Sequence, residues 1–128
     1  MSLWSTYRHW RPEFAKAIDE ALYPLAWLDN QVAHGLVRLL AIPTAGILYE
    51  YKQYPSGAWQ VEGLVAAGDA QAIVDVLIPH VEEEAARLGA VAAQIASRPG
   101  WARLLRRSEY APYQTTIRKV LASKNQIG

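Results

Sequence analysis

Cysteine is missing from this chain of 128 residues. That excludes disulfides, thiolate nucleophiles and thiolate metal sites, and it suits a cytosolic setting. Long apolar runs are missing too. Arg38, Glu50 and Lys52 interrupt the most apolar region, so no stretch reaches membrane-spanning length and no membrane partner is expected. The N-terminus carries Trp4, Tyr7, Arg8, His9 and Trp10 where a secretory signal would have an apolar core, which argues against such a signal. His9, His34 and His80 lie far apart and share no metal-ligand spacing, so no metal site is expected. Ser56, Ser97 and Ser108 stand in turn or cap settings outside any Gly-x-Ser-x-Gly run, which gives a serine hydrolase no support. Internal repeats and linkers are absent as well.

Apolar residues make up 52% of the chain and charged residues 20%, the balance of a single folding domain. Five Trp and seven Tyr stand against a single Phe. Trp and Tyr carry a polar end, which suits the edge of a core or an interface. The net charge of +1 hides an asymmetry: residues 1–97 hold six basic and eleven acidic side chains, residues 98–128 seven basic and one acidic. A basic end of that kind fits nucleic acid or an acidic protein surface, and it equally fits a solvated cationic face.

Read in order, residues 1–11 form an aromatic-rich, irregular arm. Arg11-Pro12-Glu13 opens a helix with proline in its first turn, and Phe14, Ala17, Ile18, Ala21 and Leu22 share one face. Pro24 ends or kinks it, and a second helix over 25–33 stops at Gly35. Residues 36–42 fit a strand or the tail of that helix, with strand preferred. Residues 45–54 and 58–67 read as a β-hairpin about Pro55-Ser56-Gly57. Asp69 caps a long helix over 70–88, with Ile73, Val74, Leu77, Ile78, Val81, Ala85 and Leu88 as its buried stripe. Pro79 should kink it, and Glu82-Glu83-Glu84 should face water. A small-residue strand spans 90–96. Ser97 caps a helix over 98–108 with Trp101, Leu104 and Leu105 inward, and 114–121 alternates as a closing strand.

This order, with Arg98-Pro99-Gly100-Trp101-Ala102-Arg103-Leu104-Leu105 and Glu109-Tyr110, resembles the GNAT superfamily of acetyl-CoA-dependent N-acetyltransferases. Tyr54-Pro55-Ser56-Gly57, the Gly63–Asp69 run, Arg98-Pro99-Gly100-Trp101-Ala102-Arg103 and Arg118-Lys119-Val120-Leu121 resemble small GNAT-like proteins of bacteriophage and prophage gene clusters. The resemblance implies an α+β fold, one domain over residues 12–121 followed by a polar tail, 122–128. Its mixed central sheet combines an antiparallel meander with strand–helix–strand–helix–strand.

The resemblance also supplies a functional pattern, and this chain departs from it. Family members cradle the cofactor pyrophosphate with Gln/Arg-x-x-Gly-x-Gly/Ala. Here the matching stretch ends in Gly68-Asp69-Ala70-Gln71, with no basic residue leading it and a carboxylate at Asp69. Leu105 stands where the family's proton-donating tyrosine would be, and Glu109 where a glycine would be. Glu62 remains as a candidate base, or as a plain cross-strand partner of Lys52. The expectation is a degenerate acetyl-CoA site and no bound cofactor, in a structural or interaction component of a phage particle or its assembly, in the bacterial cytoplasm or the virion. The alternative is an N-acetyltransferase holding acetyl-CoA at Gly68, Asp69, Ala70 and Gln71. Candidate partner contacts are Trp4, Tyr7 and Trp10 in the arm and Arg98, Arg103, Arg106 and Arg107 for a protein or nucleic acid. Packing of those aromatics over the chain's own core is the competing reading.

Overall fold

The computed structural model describes residues 2–95, 101, 104–113 and 117–121. Helix α1 (Leu3–Ala17) begins nine residues before Pro12, so that proline lies inside it. Ser2 caps it, its hydroxyl accepting from the Ser5 amide at 3.1 Å. Tyr7, Trp10 and Phe14 recur at helical spacing and are all buried. The irregular arm is thus corrected: residues 3–11 are the first turns of a helix that runs on to Ala17. The helix ends at Ala17, well before Pro24, and Leu22 is exposed. Pro24 instead stands at the N-cap of α2 (Leu25–Ala33), whose bounds match expectation.

Tyr7 and Arg11 tie the two helices together through Asp29. The Tyr7 hydroxyl donates to Asp29 Oδ1 at 2.6 Å, and Arg11 donates Nε and a terminal nitrogen at 2.7 and 2.9 Å. This bidentate hydrogen bond from Arg11, joined by the bond from Tyr7 and opposed by desolvation, holds the Asp29 carboxyl below its ordinary value.

The sheet follows in the order β1 (Arg38–Ile42), β2 (Ala45–Gln53), β3 (Trp59–Gly68), β4 (Ala92–Ile95). The first three strands form the antiparallel meander, and β4 lies parallel to β3 after the helical crossover. One face is covered by α1 and α2, which bury Leu48 and Val65 with Tyr7, Phe14, Leu28 and Val32. α1 can approach this closely because β2 offers Gly46: a Cβ there would stand 3.2 Å from the Phe14 ring. The other face buries Ile47, Tyr49 and Val61 under the crossover helix, with Ile73, Leu77 and Val81.

That crossover is a composite: α3 (Ala70–Ala72), a π-helical stretch Ile73–Leu77, and α4 (Ile78–Arg87). The break expected from Pro79 lies just before it. Pro79 has no N–H, and in a regular helix its ring would meet the carbonyl four residues back. The wider π turn, in which the Ile78 amide reaches Ile73 O, relieves that crowding and leaves Pro79 at the start of α4.

Three further expectations are corrected. Of Glu82-Glu83-Glu84, only Glu83 is exposed, because its neighbours are recruited by tyrosines. Ile117–Leu121 forms no strand and is solvent-exposed, for among the described residues it has no strand beside it. Leu105 is the buried residue of its segment, a 3-10 turn Leu105–Ser108, while Leu104 is exposed. Ser97, Arg98, Arg103, residues 114–116 and the tail 122–128 lie outside the described residues. No described helix is long and apolar enough to cross a membrane.

Candidate functional site

Among the described residues the parallel pairing of β3 with β4 runs from Gln60 opposite Ala92 to Gly63 opposite Ile95, and β3 continues to Gly68. At the same point Leu48 pairs with Val65 but Tyr49 pairs with Gly63, so Leu64 is an extra residue in β3. Such a bulge bends a strand and increases its twist. The result is a cleft of about 260 Å³. Ile47, Ile73, Ile78, Ile95 and Trp101 give it apolar walls, β3 contributes Leu64–Ala66, and Lys16 adds a cation from the end of α1. Both ends of the π turn, Ile73 and Ile78, face this space. The volume falls a little below the roughly 300–1,000 Å³ of ordinary small-molecule sites.

At the end of β3 the chain turns into the crossover helix. Gly68 has φ +102°, and a Cβ there would stand 2.7 Å from Ala45 Cα, hard against the carbonyl of Thr44. Only glycine fits. The next amide, of Asp69, donates to Thr44 O at 2.9 Å, and the Asp69 carboxylate accepts from the Ala72 amide at 2.9 Å. The junction therefore spends two of its amides on the protein itself. It also places a carboxylate over the first helical turn, as the cap reading expected. Ala70 and Gln71 follow in that turn.

Glu62 lies on the sheet face opposite the crossover helix, 13% exposed at its side chain. Lys52 Nζ is 3.1 Å from Oε2, while Gln94 Nε2 and the Tyr54 hydroxyl donate to Oε1 at 3.2 and 3.3 Å. The expected Lys52 partnership is present. Glu50 pairs across the strands with Glu62. Burial pushes its carboxyl up, Lys52 pulls it back, and Glu62 adds to the rise.

Sequence reasoning missed the group around Glu84. Its Oε1 accepts from the Tyr51 hydroxyl at 2.7 Å, from Arg38 at 3.0 Å and from the Tyr49 hydroxyl at 3.2 Å. The Arg38 guanidinium also lies 5.1 Å from the Tyr51 ring centre. Burial works against the charge on Glu84, but the tyrosine and arginine bonds outweigh it and hold its carboxyl below the ordinary value. Burial and the same carboxylate push the Tyr49 phenol up to about 12. The available signal was the i, i+2 placement of Tyr49 and Tyr51 on one strand face, which needs a polar acceptor on whatever helix packs above.

The remaining candidates separate. Tyr7 and Trp10 are core residues, and Trp4, 42% exposed, packs against Tyr7 with ring centres 5.4 Å apart. This follows from the helix that α1 forms: its apolar stripe needs the sheet, so the rings of Tyr7 and Trp10 are taken up by the chain's own core. Arg106 and Arg107 are exposed on the 3-10 turn. Leu105, where the family's tyrosine would be, is fully enclosed beside Leu77 and Val81. His80 makes a local bond, its Nδ1 3.2 Å from Val76 O. Among the described residues no cluster of His, Asp or Glu is placed to hold a metal ion.

No protein-family model matches this sequence, and no curated protein matches it either. Solved structures do. A ribosomal-protein-alanine N-acetyltransferase from Brucella melitensis biovar Abortus 2308 superposes with a TM-score of 0.66 at 10% identity, over 94% of this chain and 96% of its own. A GCN5-related N-acetyltransferase from Ralstonia eutropha JMP134 gives 0.61 at 19% identity, over 75% and 72%. An acetyltransferase from Trypanosoma brucei gives 0.58 at 11% identity, over 76% and 78%. The chain is a single α+β domain with the fold of the GNAT N-acetyltransferases.

Proposed function

We propose that this chain keeps the GNAT fold with a degenerate acetyl-CoA site and acts as a non-catalytic structural or interaction component. The observation that carries the reading is the junction at Gly68-Asp69. A pyrophosphate needs several free amides at a helix start and no negative charge among them. Here the Asp69 amide is bonded to Thr44 and the Ala72 amide to the Asp69 carboxylate. That carboxylate repels the group the helix start would attract. The oxygens of Glu62 are already engaged by Lys52, Gln94 and Tyr54, which leaves them little occasion to meet an acceptor amine. The resemblance of the quoted runs to phage GNAT-like proteins makes a phage particle or its assembly the place to look for the partner. Exposed Arg106 and Arg107 suit an acidic protein face there.

Calorimetric titration with acetyl-CoA tests this directly. The expected result is no heat up to millimolar ligand. Tight, stoichiometric binding overturns it.

The cleft favours a second reading, an N-acetyltransferase with an atypical phosphate loop. Leu64–Ala66 of β3 line the cleft, where their backbone would pair with an amide-bearing arm. When bound, acetyl-CoA would supply the acyl group; Glu62 would then orient the acceptor amine. Acetyl transfer to an amine by the purified chain, lost in Glu62→Gln, would select this reading over the first.

A further inference from the structure

The cleft beside β3 joins a large apolar wall to a single charge. Ile47, Ile73 and Ile78 are buried in that wall, and Ile95 and Trp101 extend it. Among the described residues that line the cleft, Lys16 alone is charged. Space walled in this way suits water poorly, because each water needs about two to four polar partners, and it suits hydrocarbon well. Lys16 lies in the last turn of α1, its ammonium 3.3 Å from Glu13 one turn back. Both side chains of that pair are well exposed, so the pair holds weakly. The lysine stem is free to lie along the apolar wall while its head turns to an incoming anion.

We propose that this cleft binds a free straight-chain monocarboxylate of about eight to ten carbons, its tail along the isoleucines and Trp101 and its carboxylate on Lys16. The proposal rests on the first reading of the Gly68-Asp69 junction, in which no pyrophosphate is held there, and adds a small-molecule ligand to it. Size sets the chain length. The cleft measures about 260 Å³. A methylene needs about as much room as a water molecule, roughly 30 Å³, which allows roughly nine such groups.

Charge sets the end group. Lys16 attracts a carboxylate and repels an alkylammonium of the same length. An acyl-CoA thioester has no carboxylate to offer Lys16, and its phosphates meet the Asp69 carboxylate at the start of the crossover helix. The two charged residues therefore discriminate in one direction: Lys16 favours the free acid and Asp69 disfavours the thioester. Burial supplies the rest of the affinity, about four-fold for each methylene taken from water.

Calorimetric titration of the whole chain with straight-chain acids from butanoate to dodecanoate tests this. Affinity should rise about four-fold per methylene and level off at about eight to ten carbons, with one ligand per chain. Octanoate should also raise the melting temperature as its concentration rises. Lys16→Glu should weaken octanoate by roughly two- to five-fold, strengthen octylammonium by a similar factor and leave octanol unchanged, which a misfolded variant would not do. Gly63→Ala places a Cβ in ordinary contact, 3.5 Å from Ile95, and should bring the plateau about one methylene earlier. Affinity that climbs without a plateau overturns the proposal, as does octanoate binding that Lys16→Glu leaves unchanged. Tighter binding of octanoyl-CoA than of octanoate overturns it together with the first reading of the junction. Binding of no acid at all overturns this proposal alone, and the acetyl-CoA titration then judges that reading separately.

Discussion

Replacing Asp69 separates its two effects, one on the helix and one on a phosphate. The carboxylate accepts the Ala72 amide at 2.9 Å and caps the crossover helix. Losing such a cap to alanine costs about 1 kcal/mol, within roughly 0.5–2. For a chain of this size that is a melting shift of roughly 3–6 °C. Serine and asparagine cap about as well as aspartate, so Asp69→Ser and Asp69→Asn should melt near the parent while Asp69→Ala melts below it. Charge is the second effect. An exposed pair of unit charges about 4 Å apart interacts by about 1 kcal/mol in water, and a pyrophosphate brings more than one. Asp69→Asn should therefore improve acetyl-CoA affinity by roughly five- to thirty-fold, a gain that shrinks in high salt. Thermal melts with and without acetyl-CoA, at low and high salt, read both effects. If Asp69→Ala melts with the parent, the cap argument is refuted. If Asp69→Asn binds no better than the parent, the carboxylate is not what keeps the cofactor out.

Other expectations follow from single contacts. Phe14→Ala and Tyr7→Ala should each cost about 3–5 kcal/mol in urea denaturation, since both rings are fully buried against the sheet; a docking arm would lose almost nothing. Gly68→Ala forces a side chain into the Thr44–Ala45 backbone at φ +102°, whereas Gly35→Ala, at φ +73°, meets open space. The first should be insoluble or several kcal/mol less stable and the second about 1 kcal/mol less stable, by the same melts. Asp29 and Glu84 have folded-state carboxyls below their ordinary values. The unfolded chain therefore binds more protons in acid, and the stability they lend is complete above the ordinary carboxylate range and drains as pH falls through their lowered values. Urea midpoints from about pH 7 to about pH 3 should fall, and Asp29→Asn or Glu84→Gln should each flatten that slope.

Within the candidate site, legibility varied with how far away each residue's partner lies. Asp69 and Gly68 could be read because a cap and a left-handed glycine answer to neighbours a few residues away. Glu62 with Lys52 could be read because the hairpin register follows from one turn. Glu84 could not: its partners Tyr51, Tyr49 and Arg38 lie 33, 35 and 46 residues away. The cleft was equally hidden. It depends on one extra residue, Leu64, whose identity is that of any strand residue, and on a π turn that Pro79 permits but does not spell out.

The sequence alone determined what short-range sterics and hydrogen bonds decide: α2 and its glycine stop, the hairpin, the capped crossover helix and the strand order of an α+β domain. It misread the start because Pro12 satisfies the rule for a first turn and also tolerates a place inside α1 when flanking turns are held by packing. Only the tertiary structure decided that Tyr7 and Trp10 are core, that Glu84 joins three distant donors, and that β3 carries an extra residue at Leu64. Each depends on which surface arrives from elsewhere in the chain, and burial free energy, being non-directional, leaves little local trace of that surface.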